Sequence, residues 1–395
     1  MTKYTVRPCD DNNRMTLPAG LAVTLSTVTD WQALGEQWRE LETRAEASFF
    51  QSWSWIGCLA AERYDDPVLL AARRDGRTIA LGLFNRHRGW LFDTLWLHET
   101  GHPQRDAVFI EHNGLLIDAE VTAKVGADTL RAACLAAARR STIPKSRPGR
   151  RLILGGVDAA HLRAAASIAT VTRLTTRVAP ALDLTELRRD GDRHVDILST
   201  NTRAQLRRSL RAYAAIGELA IQRASDNAEA HRFLDALGRL HQATWQRRGR
   251  AGAFANPQFL RFHHALIDRA LPRGEVELSR VTAGQAELGY LYNFHYRDRV
   301  SAYQSGFDYT VGDRRAKPGL TCHHLAIEQG LAEGRVCYDF MAGDDRYKRS
   351  LSNTASTLHW ATAVSRVDPT RLAEAARALA RAATPNYLKN WLSHV

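Results

Sequence analysis

Gly289-Tyr290-Leu291-Tyr292-Asn293-Phe294-His295, Val300-Ser301-Ala302-Tyr303-Gln304 and Asp313-Arg314-Arg315-Ala316-Lys317-Pro318-Gly319-Leu320 open the stretch that decides the fold, which runs on to Lys348. Leu291–His295 and Val300–Gln304 read as two antiparallel strands. A glycine-marked turn, a helix over Leu320 to Glu333, the apolar strand Val336-Cys337-Tyr338-Asp339-Phe340 and the polar run Gly343-Asp344-Asp345-Arg346-Tyr347-Lys348 follow. A helix N-terminus presents unpaired N–H groups and partial positive charge, which makes it an anion site. Pro318 suits a first helical turn, Gly319 permits close approach to the backbone, and Arg314, Arg315 and Lys317 add full charges. These residues together suit a phosphate.

The order of these elements resembles the Gcn5-related N-acetyltransferase (GNAT) superfamily. Tyr338-Asp339-Phe340, Gly343 and Tyr347-Lys348 resemble its CelD-like, cellulose-biosynthesis branch, related to the FemABX aminoacyltransferases. The likeness is strongest over residues 195–365, and the turn before Leu320 departs from the family by carrying one glycine. The resemblance implies an α/β fold of tandem GNAT-like domains, each a mixed, mostly antiparallel sheet flanked by helices. It also implies acyl-CoA, such as acetyl-CoA, as co-substrate, with the pyrophosphate at the helix starting near Gly319 and Leu320. The thioester would lie on the strand edge from Ser301 to Gly306, which includes Tyr303 and Gln304. Tyr347 would protonate the leaving sulfur, Lys348 would hold a carboxylate or phosphate, and Asp339 falls in the shared motif as a candidate general base.

Other candidates rest on the residues themselves. His295, on a strand beside the expected donor edge, is a second base candidate, because free imidazole titrates near neutrality; Asp308 and Glu287 rank below it. Helix 201–211 carries Arg203, Arg207 and Arg211 as a stripe, read either as a solvated face or as a rim for an anionic substrate. The following helix, Ala228 to about Arg247, brings Trp245 toward the acceptor side. His323 and His324 face apart on a helix and no third ligand adjoins them in sequence, so no metal is expected.

The chain reads as two diverged copies of one unit. Strand, hairpin and strand recur as Pro67–Ala72, Asp75-Gly76 and Thr78–Phe84, then as Val276–Val281, Ala283-Gly284 and Ala286–Leu291. A helix over Val121 to Arg139 leads to the strand 152–158, as Leu320 to Glu333 leads to Tyr338–Asp344. The first copy enters its helix through Ile117-Asp118-Ala119-Glu120, whose acids complement the dipole but repel phosphate, so donor binding is expected in the second copy. The expected organisation is a flexible leader over 1–18, a degenerate domain over 19–180 that shapes the acceptor site, and a donor-binding, catalytic domain over 181–395.

A chain of 395 residues with 45% hydrophobic content is long enough for two cores. The five cysteines are scattered without a C-x-x-C pair, and no long apolar run is present, so a cytoplasmic location and no membrane span are expected. The net charge of +12 asks for an anionic partner, although arginine-rich coding by a high-GC genome accounts for it equally well. Three functions follow. The first is acyl-CoA-dependent N-acyl transfer to an amine of a small molecule, amino sugar or biosynthetic intermediate. The second uses aminoacyl-tRNA or an acyl carrier protein as donor, and the third is a non-catalytic module that binds nucleic acid.

Overall fold

The computed structural model describes residues 20–365 apart from 91, 122–125, 141–148 and 192. The expected leader lies outside the described residues. The first half contains β1 (Leu21–Thr27), α1 (Trp31–Glu42), α2 (Trp53–Arg63), β2 (Pro67–Arg74), β3 (Arg77–Arg88), β4 (Phe92–Leu97), β5 (Leu116–Ile117), α3 (Ala127–Arg140), β6 (Gly149–Val157), α4 (Ala159–Ile168) and β7 (Thr170–Asp183). The connecting helices α5 (Leu184–Asp190), α6 (His194–Ile197) and α7 (Thr200–Ala214) follow. The second half comprises β8 (Leu219–Arg223), α8 (Asn227–Arg247), α9 (Pro257–Ala270), β9 (Val276–Ala283), β10 (Ala286–Tyr296), β11 (Arg299–Phe307), α10 (Pro318–Ala332), β12 (Cys337–Asp339), α11 (Arg346–Ser350) and β13 (Thr354–Val364).

Local chemistry sets many of these boundaries. Asp30 and Asp226 cap α1 and α8 by accepting the Ala33 and Glu229 N–H groups, and Asn256 caps α9, whose first residue is Pro257. Asp75 and Gly76 both have positive φ, which a two-residue hairpin turn between β2 and β3 requires. The segments Ala286–Leu291 and Leu291–His295, read from sequence as separate strands, are one strand, β10.

The strands form one sheet in the order β1-β2-β3-β4-β6-β13-β7-β12-β11-β10-β9-β8, with β5 beside β3. This order is a palindrome about the β13–β7 pair. The pairing senses match across it. The β1–β2, β2–β3 and β3–β4 pairs are antiparallel, as are β8–β9, β9–β10 and β10–β11. The β4–β6 and β11–β12 pairs are both parallel. The last strands are exchanged, β13 pairing with β6 of the first half and β7 with β12 of the second. This is a tandem GNAT-like arrangement, with the duplication visible in the hydrogen-bond pattern.

Helices cover both faces. On one, α1, α2, α8 and α9 share a core built on Trp38, Phe50, Trp55, Phe233, Phe262 and Tyr292 that joins the two halves. On the other, α3 and α4 bury Leu130, Leu135 and Ala165 against the first half, while α10 buries Cys322 and Ile327 against the second. Among the described residues, no helix is long and apolar enough to cross a membrane.

Candidate active site

The sheet opens between β11 and β12. Their parallel pairing stops after Arg299–Cys337, Val300–Tyr338 and Ser301–Asp339, so β11 runs on to Phe307 with a free edge. On its other side Tyr292 pairs with Gln304 and Asn293 with Ala302, which leaves Tyr303 as the extra residue of a β-bulge. Bulges re-aim backbone groups beside active sites. The bulge is anchored by the Tyr303 side chain, which is buried among aromatic rings and donates its hydroxyl to the Val108 carbonyl. A cleft of about 820 Å³ fills the opening and is lined by Tyr303, Gln304, Gly306, Lys317, Leu320 and Tyr347.

Helix α10 starts at one wall of this cleft. Lys317 caps it without a side-chain hydrogen bond and Pro318 has no N–H, so the first-turn amides at Gly319 and Leu320 lack intrahelical partners. Ser209 of α7 fixes this start: its hydroxyl accepts the Lys317 N–H at 2.8 Å and lies 2.8 Å from the Thr321 hydroxyl. A Cβ on Gly319 would lie 3.1 Å from the Phe307 ring, so this glycine serves packing between α10 and β11. Gly319 also lines the cleft. Arg314 is exposed and Arg315 is paired with Asp313, whereas Lys317, Arg248, Arg346 and Arg177 line the cleft.

The opposite wall comes from the first half. Phe109, Glu111 and His112 lie on the loop between β4 and β5, and Phe109 and His112 hold positive φ of 53° and 46°. Met341, facing them after β12, has φ 63°. Such strain in non-glycine residues persists where the surroundings enforce it and clusters at functional sites. The Ala342 N–H donates to Glu111 Oε2 at 2.5 Å, and His112 Nε2 lies 3.0 Å from Asp339 Oδ2. Asp339 is buried and also accepts the Met341 N–H at 2.7 Å. Burial pulls the Asp339 pKa up, but the charge and hydrogen bond of His112 outweigh it and hold the carboxyl below its ordinary range. Burial likewise opposes charging His112, yet Asp339 and Glu111 raise its pKa. Glu111 differs: burial dominates and raises its pKa, against the Ala342 amide and Lys348. Lys348 donates to the Met341 and Ala342 carbonyls at 3.2 and 2.9 Å, and burial lowers its pKa.

Tyr347 lies at the mouth, half-exposed, with its ring stacked 6.0 Å from His323. Trp245 donates its indole N–H to His241 Nε2 at 2.8 Å on the α8 side. The structure therefore brings Tyr347, Lys348, Lys317, Gly319, Leu320, Tyr303, Gln304 and Trp245 to the cleft, with Asp339 just behind its wall. His295 sits elsewhere: its ring faces Glu277, Nε2 to Oε2 being 3.4 Å, in a buried group with Arg223 and Arg335 that lowers its pKa to about 4, mostly through burial. Arg203 is turned back to donate to the Asp196 and Leu198 carbonyls, and Arg207 is exposed outside the cleft. The sequence reading missed Glu111, His112, Arg177 and His241. Glu111 and His112 lie on a polar loop between two strands, Arg177 on β7 and His241 on α8.

The equivalent opening in the first half is closed. Asn113 lies between the ends of β4 and β6, bridging to Val157, and its side-chain amide donates to the Leu97 and Gly155 carbonyls at 3.0 and 2.9 Å. The chain fills its own slot there, and the same segment carries Glu111 and His112 into the second half. Asp118, expected to repel phosphate, is buried and paired with Arg44 and Arg77.

Residues 200–349 match the family described as Acetyltransferase (GNAT) domain. Among solved structures, the chain is similar to FemX, at 10% identity and TM-score 0.53, over 86% of this chain and 96% of that one. It is also similar to the C-terminal domain (DUF2156) of a protein from Agrobacterium fabrum assigned as a lysylphosphatidylglycerol synthetase. That match has 12% identity and TM-score 0.50, over 89% of this chain and 96% of the other. Both likenesses concern the fold. No curated protein sequence matches the chain.

Proposed function

We propose that the protein, whose residues 200–349 match the GNAT acetyltransferase domain family, is an acyl-CoA-dependent N-acyltransferase acting on an amine. The observation that carries this reading is the bulged, unpaired edge of β11 at Tyr303 facing the uncapped start of α10 across one continuous cleft. Phosphates seat on the amides of Gly319 and Leu320 beside Lys317, and the acyl carbonyl lies along β11, held by backbone N–H groups past the bulge. The amine approaches from the α8 side, past Trp245 and Phe109.

Glu111 takes the proton from the incoming ammonium, its raised pKa suiting exchange with an amine. The free amine attacks the thioester carbonyl, the carbon–sulfur bond breaks, Tyr347 donates its phenolic proton to the departing thiolate, and the proton shed by the new amide nitrogen restores the phenol. Lys348 holds the Met341–Ala342 turn and its charge steadies the Glu111 carboxylate. The His112–Asp339 pair fixes the loop that presents Glu111.

A second reading, in which the acyl group arrives on a tRNA or an acyl carrier protein, is favoured by the exposed Arg207, Arg208 and Arg211 along α7. Titration calorimetry with CoA, acetyl-CoA and charged tRNA separates the two. The CoA reading expects saturable binding that weakens at least tenfold, by estimate, in Lys317→Glu, an exposed site whose reversal leaves the fold intact. Absence of CoA binding to the wild-type protein rejects it.

A further inference from the structure

The inter-half linker and the donor helix meet at three metal-ligating side chains outside the cleft. His194, on the single turn α6, is fully buried, and His324, in the second turn of α10, is nearly so. Glu328 follows His324 by four residues and shares its face of α10. The His194 and His324 Nδ1 atoms are 3.1 Å apart, and Glu328 Oε1 is 3.8 Å from His324 Nδ1. All three ligand atoms lie within 4.8 Å of one another. The sequence expectation of no metal rested on the lack of a third ligand near His323 and His324. The fold supplies two partners for His324, one from 130 residues away.

We propose that His194, His324 and Glu328 bind a divalent transition metal of the zinc class, with a water as fourth ligand, pinning the linker to the donor helix. Two imidazoles and a carboxylate are a donor set that zinc accepts in tetrahedral geometry, where bonds of about 2.0–2.1 Å put neighbouring ligands roughly 3.3 Å apart. The histidine pair already has that spacing, and Glu328 closes the triangle by a small side-chain rotation. Without a cation, the two facing Nδ1 atoms can be joined by one shared proton. The other ring nitrogen of His194, Nε2, is buried without a hydrogen-bond partner. Glu328 is partly exposed, so the group is not sealed from solvent.

The full-length protein, stripped with chelator and dialysed, is titrated with Co²⁺ and read by visible absorption. The expected result is intense tetrahedral bands saturating at one equivalent, displaced by Zn²⁺, with Co²⁺ affinity at least tenfold weaker in Glu328→Gln. Glu328 is exposed enough for that variant to fold, and its melting curve without metal checks this. No visible bands in the wild-type protein would overturn the proposal and reduce the pair to a His–His hydrogen bond. Bands unchanged in Glu328→Gln would also overturn it by placing the metal elsewhere. CoA titration of the same samples reads the donor cleft separately.

Discussion

At the residue scale the site turns on which acids are charged. Asp339 is held in its ionised form and Glu111 is pushed toward its neutral form, although they belong to one cluster, because His112 faces Asp339 while burial governs Glu111. If Glu111 is the base, Glu111→Gln lowers turnover by about 10²–10⁴-fold without altering CoA affinity. The acid limb of the wild-type rate profile lies above the ordinary glutamate range. Steady-state rates against pH, with calorimetry, check both statements. The ion pair predicts a stability profile. The Asp339 pKa is lowered, so its contribution is full above the unfolded carboxyl value and is lost as pH falls through the folded one. The His112 pKa is raised, so its contribution is full below the unfolded imidazole value and fades as pH rises through the folded one. His112→Asn, chosen because asparagine tolerates the left-handed backbone, should cost roughly 3–5 kcal/mol near pH 6, and less toward pH 9. Chemical denaturation at the two pH values measures the difference.

At the element scale, β11 and α10 need their neighbours. A Cβ on Gly306 would meet the Leu237 carbonyl of α8 at 2.4 Å, and backbone cannot yield as a side chain does. Gly306→Ala should cost about 1–3 kcal/mol and also narrow the acyl slot, seen as a lower melting temperature with weaker acetyl-CoA binding. Ser209→Ala should cost about 1–3 kcal/mol, because it leaves the Lys317 N–H without its buried acceptor and frees the start of α10. CoA affinity should fall with it. These elements were legible in the sequence because their signals are local. Pro318 starts a helix and Asp75-Gly76 closes a hairpin. What escaped was contributed from a distance: Glu111 and His112 lie more than two hundred residues before Asp339 and Ala342, and no local pattern encodes that meeting. His295 misled because its strand adjoins the donor edge while its side chain points to Glu277. Gly319 lines the cleft, and its missing Cβ also makes room for the Phe307 ring.

At the scale of the molecule, the exchange of β7 and β13 makes each half depend on the other. β6 and β12 each pair with a strand from the opposite half, and the core around Trp55 and Phe262 spans both. Residues 20–191 and 193–365 produced separately should therefore be insoluble or unfolded, and co-expression should restore a folded complex. In the intact chain, calorimetry should give a single transition, whereas two separate transitions would show that the halves fold on their own.

The palindromic sheet also bears on ancestry. Two copies of a half-length chain, each lending its terminal strand to its twin, would assemble the same hydrogen-bond ladder with two equal grooves. Joining the copies into one polypeptide released them from that equality. One groove could then be given up to a loop reaching across the dyad, which a symmetric pair could not do without blocking both.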